Sequence, residues 1–203
     1  MTRMELATPH GPARAELHCA TEGRAALLLG HGAGGGIDAP DLVAATRAAT
    51  AAGVHVVLVE QPYRVAGRRA PAPAKQLDAA WLAVVGELAG SWCDGLPMIF
   101  GGRSSGARVA CRTAAPGQAA AVLCLAFPVH PPGKPEKSRM PELDGIEVPA
   151  LVVQGENDPF GMPAAGHHRE LVTLAGDHSL KADVEGVYRA VADWLPRVLR
   201  PLD

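Results

Sequence analysis

Aromatic side chains are scarce in this chain, with three Phe, three Trp and two Tyr among 203 residues. A large, flat apolar ligand would find few rings to lie against. Long apolar runs are missing as well. No stretch reaches the roughly 18 to 20 residues of a membrane span, and residues 1–20 hold no apolar core of signal-peptide length. Neither sign of charge dominates: 19 Lys and Arg against 21 Asp and Glu leave a net charge of −2. That excludes the basic footprint of a nucleic-acid binder. Cys19, Cys93, Cys111 and Cys124 lie far apart and form no CxxC pair. Buried, reduced thiols are expected, and with them a cytoplasmic location and no membrane partner.

What is present describes a soluble globule. The chain is 48% apolar and 20% charged, a balance that rules out disorder and collagen-like architecture. Its length fits one domain, residues 1–203, able to bury roughly 70% of the surface its unfolded chain exposes.

Apolar runs and helical patterns alternate along it. Ala25 to Leu29, Val54 to Val59, Pro97 to Phe100, Ala121 to Phe127, Ala150 to Gln154 and Glu170 to Leu174 read as strands. Helices are expected over Asp41 to Ala52, around Leu77 to Leu88, over residues 105–115 and from Val184 to Val198. Residues 1–20 suit an edge hairpin, and Pro128 to Glu147 is the long irregular segment. Strands buried on both faces and separated by helices imply a mostly parallel sheet covered on both sides.

Two glycine motifs follow strands. Gly30, Gly32 and Gly35 match G-x-G-x-x-G, and Glu60 ends the next strand where a ribose-binding acid would stand. A dinucleotide site is therefore one reading, although Ile37 to Pro40 separates the loop from its helix. The second motif is sharper. Gly102-Arg103-Ser104-Ser105-Gly106 is G-x-S-x-G between a strand and a helix. A nucleophile on so tight a turn needs small residues two before and two after it. That register selects Ser104, because Ser105 would need glycine where Arg103 and Ala107 stand. A plain Gly/Ser turn capping a helix is the bland alternative.

Two partners come later in the chain, each beyond the end of a strand. Asp158 follows Ala150 to Gln154, and His178 follows Glu170 to Leu174. Ser, acid and His in that order suit nucleophilic catalysis. The loop His31-Gly-Ala-Gly34 then has a second explanation, with the Ala33 and Ser105 amides as oxyanion donors and His31 as a brace.

With these blocks in place, the sequence resembles a compact, lidless α/β-hydrolase of the dienelactone-hydrolase-like and testis-expressed hydrolase-like group. Pro62-Tyr-Arg64, Gly67-Arg-Arg69 and Phe127-Pro-Val-His130-Pro add to the likeness. The resemblance implies an α/β-hydrolase sheet of about six to eight strands with no cap domain. It also implies a Ser104–His178–Asp158 triad. Dienelactone hydrolases use cysteine where Ser104 stands, so their substrate does not carry over.

The expected reaction is hydrolysis of a carboxylester-type bond in a small-molecule substrate, with no cofactor and no metal. His167, His168 and Glu170 adjoin, but no second ligand cluster supports a metal site. A catalytically idle module on the same fold and a dinucleotide-binding protein are the competing classes. Arg64 and Arg103 are the candidate substrate contacts. Arg64, Arg68, Arg69, Lys134, Lys137 and Arg139 form either a solvated rim or a collar attracting anionic substrates. Asp158 and His178 lie so close in sequence that only a turn or two of helix, within Gly161 to His168, fits between them.

Overall fold

In the computed structural model, which describes residues 2–200, the first fully buried run becomes the middle of the sheet. Strand β3 (Ala26–Gly30) lies between β4 (His55–Glu60) and β5 (Met98–Arg103), parallel to both. On the β5 side follow β6 (Ala121–Leu125), β7 (Ala150–Gly155) and β8 (Arg169–Leu174), all parallel. On the β4 side, β2 (Ala13–His18) and β1 (Thr2–Leu6) add antiparallel, as the edge hairpin expected from residues 1–20. The eight strands run in the order β1-β2-β4-β3-β5-β6-β7-β8.

Helices cover both faces, because the inner strands alternate buried side chains to either side. Leu27, Leu29, Val56 and Ile99 face α1 (Pro40–Ala51) and α6 (Val184–Leu199), with Leu42 and Trp194 in that core. Leu28, Val57, Phe100 and Val122 face α3 (Ala74–Ala89) and α4 (Ser105–Thr113), where Trp81 and Val109 pack. Trp81 meets Phe100 edge to face at 5.8 Å. The apolar stripe from Leu77 to Leu88 therefore builds one core and the C-terminal stripe builds the other.

The sheet order sets the location of any site. From β3 the chain moves outward to β4, then returns past β3 to start β5. Neighbouring strands that send their following segments to opposite faces leave a crevice at their carboxyl ends, where ligands bind in open α/β sheets. Here the crevice lies between the loops after β3 and β5.

Three sequence expectations need correction. No helix forms in Gly161 to His168; the whole β7–β8 connection, residues 156–168, is irregular. Pro163 lacks an amide donor and Gly161 sits at φ +94°, so the segment turns instead of winding. The Pro128 to Glu147 stretch holds one short helix of little more than a turn, α5 (Met140–Asp144), and another short helix, α2 (Pro62–Val65), follows β4. Of the four free thiols, Cys19 is exposed, while Cys93, Cys111 and Cys124 are buried. Among the described residues no helix is long and apolar enough to cross a membrane.

Candidate active site

Ser104 links β5 to α4 with φ +52° and ψ −106°. Side chains rarely adopt such a backbone, and holding one there costs about 1–3 kcal/mol, supplied by the surroundings. Two glycines make the turn possible. A Cβ on Gly102 would lie 2.6 Å from the Gly30 carbonyl oxygen, and one on Gly106 would collide with that same oxygen. The elbow is therefore pressed against β3, and only glycine fits at either position. The Ser104 amide is anchored to the Leu125 carbonyl of β6 at 2.9 Å.

His178 and Asp158 reach Ser104 from beyond the ends of β8 and β7. His178 Nε2 lies 2.9 Å from Ser104 Oγ, and His178 Nδ1 lies 2.8 Å from Asp158 Oδ2. The Asp158 side chain is fully buried, whereas the imidazole is 16% exposed. The Phe160 amide donates to Asp158 Oδ1 at 2.8 Å, and the Phe160 ring lies 4.2 Å from the imidazole, centre to centre. Asp177, next to His178 in sequence, points elsewhere. Its carboxylate takes the amide and hydroxyl of Ser179, which hold its pKa below the usual carboxylate value.

The loop after β3 is fixed by two side chains. His31 Nδ1 donates to the Gly32 carbonyl at 2.8 Å, and His31 Nε2 accepts the Gln61 amide at 3.1 Å. These partners assign the neutral tautomer with its proton on Nδ1. Burial also pushes the pKa of this ring down. Tyr63 donates its hydroxyl to the Ala33 carbonyl at 2.7 Å. In a trans peptide the C=O and the next N–H point opposite ways. Holding Gly32 O against His31 therefore turns the Ala33 N–H away from that ring. Ser105 is the first residue of α4, so its amide has no acceptor within the helix.

A family model for the alpha/beta hydrolase domain matches residues 23–188. The chain belongs to that family. Sequence comparison finds no match among curated proteins. Among solved structures, a lidless α/β serine hydrolase of Xanthomonas campestris is 19% identical, with a TM-score of 0.77 over 99% of this chain and 94% of that one. Est1E of Butyrivibrio proteoclasticus superposes with a TM-score of 0.80 at 17% identity, over 98% and 99% of the two chains. A dienelactone hydrolase of Anabaena variabilis gives 0.75 at 16% identity, over 97% and 96%. At these identities the likeness is one of fold: an α/β-hydrolase sheet without a lid.

The other residues singled out from sequence fall into different surroundings in this α/β hydrolase. Arg64 lines a cleft of about 390 Å³ whose walls include none of Ser104, Asp158 or His178. Its Nε is buried without a hydrogen-bond partner. Around it Arg14 pairs with Glu60 and Arg3 with Glu16, so much of the charge there is internally balanced. Glu60, the would-be ribose ligand, is engaged by Arg14, and residues 36–39 separate Gly35 from α1. Arg103 turns its guanidinium towards Asp41 and the His178 backbone. Arg68, Arg69, Lys134 and Lys137 are exposed and Arg139 is half-buried. The His167 and His168 rings pack against each other at 4.8 Å, and Glu170 pairs with Arg197. Among the described residues no three His, Cys, Asp or Glu side chains gather in a way that could hold a metal ion.

One participant escaped the sequence reading. Gln154, the last side chain of an apolar strand, is fully buried, and its Nε2 donates to Asp158 Oδ2 at 2.8 Å. A polar residue closing the run Leu151-Val-Val-Gln154 was the available signal, since a buried amide needs partners.

Proposed function

We propose that this protein is a serine hydrolase acting on a carboxylester-type bond of a small ester or thioester, through an acyl-enzyme. The observation that carries the reading is the line Asp158–His178–Ser104, with separations of 2.8 and 2.9 Å, ending on a serine in a strained elbow.

In this reading, Ser104 Oγ attacks the substrate carbonyl carbon as its proton passes to His178 Nε2. Asp158 keeps the other ring proton on Nδ1 and balances the imidazolium that forms. The Ala33 and Ser105 amides receive the negative charge that develops on the carbonyl oxygen. Donors already in place before charge develops need no reorganisation during the step. Collapse of the tetrahedral intermediate expels the leaving group, which takes the proton from Nε2. Water, deprotonated by the same nitrogen, then attacks the acyl-enzyme and releases the acid. The cycle consumes only substrate and water.

A fluorophosphonate probe tests the assignment. The expected result is a covalent adduct on Ser104, located by mass spectrometry of the digested protein, together with hydrolysis of p-nitrophenyl acetate that EDTA and added NAD leave unchanged. An unlabelled Ser104 would reject the reading, because neither an idle module nor a dinucleotide-binding protein needs an activated serine.

A further inference from the structure

Arg103 occupies the variable position before the candidate nucleophile, where a side chain is free to face outward. Instead it turns inward, and all three of its guanidinium nitrogens meet parts of the site. Nε lies 2.8 Å from Asp41 Oδ2, a close ion pair not aligned as a hydrogen bond. Nη2 donates to the backbone carbonyl of His178 at 2.9 Å. Nη1 packs on the loop after β3, so close that a Cβ on Gly32 would sit 3.0 Å from it. The Arg103 side chain is only 18% exposed and Asp41 is fully buried, on the first turn of α1.

These contacts close a circuit. Ser104 follows Arg103 in the chain, and its Oγ meets the His178 ring while Arg103 holds the His178 backbone. The His178 loop is thus fastened to the elbow at two points, one of which bears no part of the proton transfer. Asp41 supplies the fixed end. A guanidinium is a planar fork able to serve several acceptors in set directions, and a lysine ammonium is not.

We infer that Arg103, held by the buried carboxylate of Asp41, is a positioning residue that sets the placement of His178 and of the Gly32–Ala33 peptide relative to Ser104. The assignment replaces the substrate contact suggested by the sequence. It rests on the hydrolase reading above, and its test includes one measurement independent of that reading.

The design separates positioning from simple stability. Arg103→Met alone leaves a buried, uncompensated carboxylate, so any loss of activity would be mixed with unfolding. The double variant Arg103→Met/Asp41→Asn removes both charges. Its melting temperature is expected within a few degrees of the wild type. Its kcat on p-nitrophenyl acetate should nevertheless fall roughly 30- to 100-fold, the effect of a small misplacement of reacting groups. KM should stay within about threefold, because binding of the ground state is not what changes. Arg103→Lys should fall between, since an ammonium keeps a charge opposite Asp41 but lacks the planar fork whose separate nitrogens meet Asp41 and the His178 carbonyl; it carries the test if the double variant does not fold.

The independent measurement is the His178 Nδ1 proton resonance. Loosening of the loop should broaden or remove it in the variants. A folded double variant with near-wild-type kcat and a sharp imidazole signal would overturn the inference, as would a loss confined to KM. If wild-type Ser104 takes no fluorophosphonate, the hydrolase reading fails, and the resonance alone decides the role of Arg103.

Discussion

Gln154 donates to the same Asp158 oxygen that faces His178: Nε2 and Nδ1 each lie 2.8 Å from Oδ2. The amide also lies within hydrogen-bonding distance of the Phe127 and Gly161 carbonyls. Surrounded by three acceptors, it can only present nitrogen. Gln154 therefore shares Oδ2 with the imidazole and holds the acid in place beside it.

Gln154→Glu turns that contact into a pH sensor. A neutral glutamic acid still offers one proton to Oδ2, but once ionised it faces Asp158 as a like charge. The profile of kcat/KM against pH should gain a falling alkaline limb that the wild type lacks. Gln154→Leu should instead lower kcat by about tenfold without a new limb, as expected for loss of one orienting hydrogen bond. A Gln154→Glu profile superimposable on the wild type would remove Gln154 from the site.

Ser104→Ala should abolish probe labelling and lower kcat by about 10⁴- to 10⁶-fold, the range for loss of a triad member. Ser105→Ala should keep substantial activity, because only its backbone amide is assigned a role. Steady-state kinetics on one activated ester distinguish the two, and the reverse ranking would move the nucleophile.

The two neighbouring acids should separate as strongly. Asp158→Asn places a flippable amide against Nδ1 and should cost about 10⁴-fold in kcat with the fold intact. Asp177→Asn weakens a turn to Ser179 and should cost about tenfold. Circular dichroism of both variants checks folding; a folded Asp158→Asn protein with wild-type kcat would clear Asp158 of the role.

His31 predicts an acid-side loss of stability. Burial lowers its pKa below the usual 6.5, so the folded state binds fewer protons than the unfolded chain. Its contribution is complete above about pH 6.5 and disappears as pH falls through the folded-state value. Protonation also removes the acceptor for the Gln61 amide. Between about pH 7.5 and 5.5, wild-type Tm should drop more than that of His31→Asn, which does not titrate in this range. Equal slopes by scanning calorimetry would contradict the linkage.

Much of this was legible in the chain. Buried strands announced themselves as unbroken β-branched and apolar runs, and the amphipathic stripes marked α3 and α6. The elbow was readable because sterics demand Gly102 and Gly106 at fixed offsets from Ser104. Asp158 and His178 were readable from their places after strands. What the pattern concealed were contacts between distant segments. Nothing local to Arg103 indicates that Asp41, in a helix 62 residues earlier, faces it. Gln154 looked like the end of a strand because its function lies in which oxygen its amide meets. The crossover helix was expected from the usual βαβ connection, and Gly161 and Pro163 overrode that rule.

The edge position of β8 has a consequence for how the protein fails. Ser104 follows β5, held between β3 and β6, whereas His178 lies in the loop after β8, an edge strand none of whose residues is fully buried. Segments of a fold open with different free energies, and sparsely buried ones open first. Warming or mild denaturant should therefore draw His178 away from Ser104 while both cores stay packed. Loss of the proposed activity on heating should then precede melting, and cooling should restore it once β8 pairs again with β7, without refolding of either core.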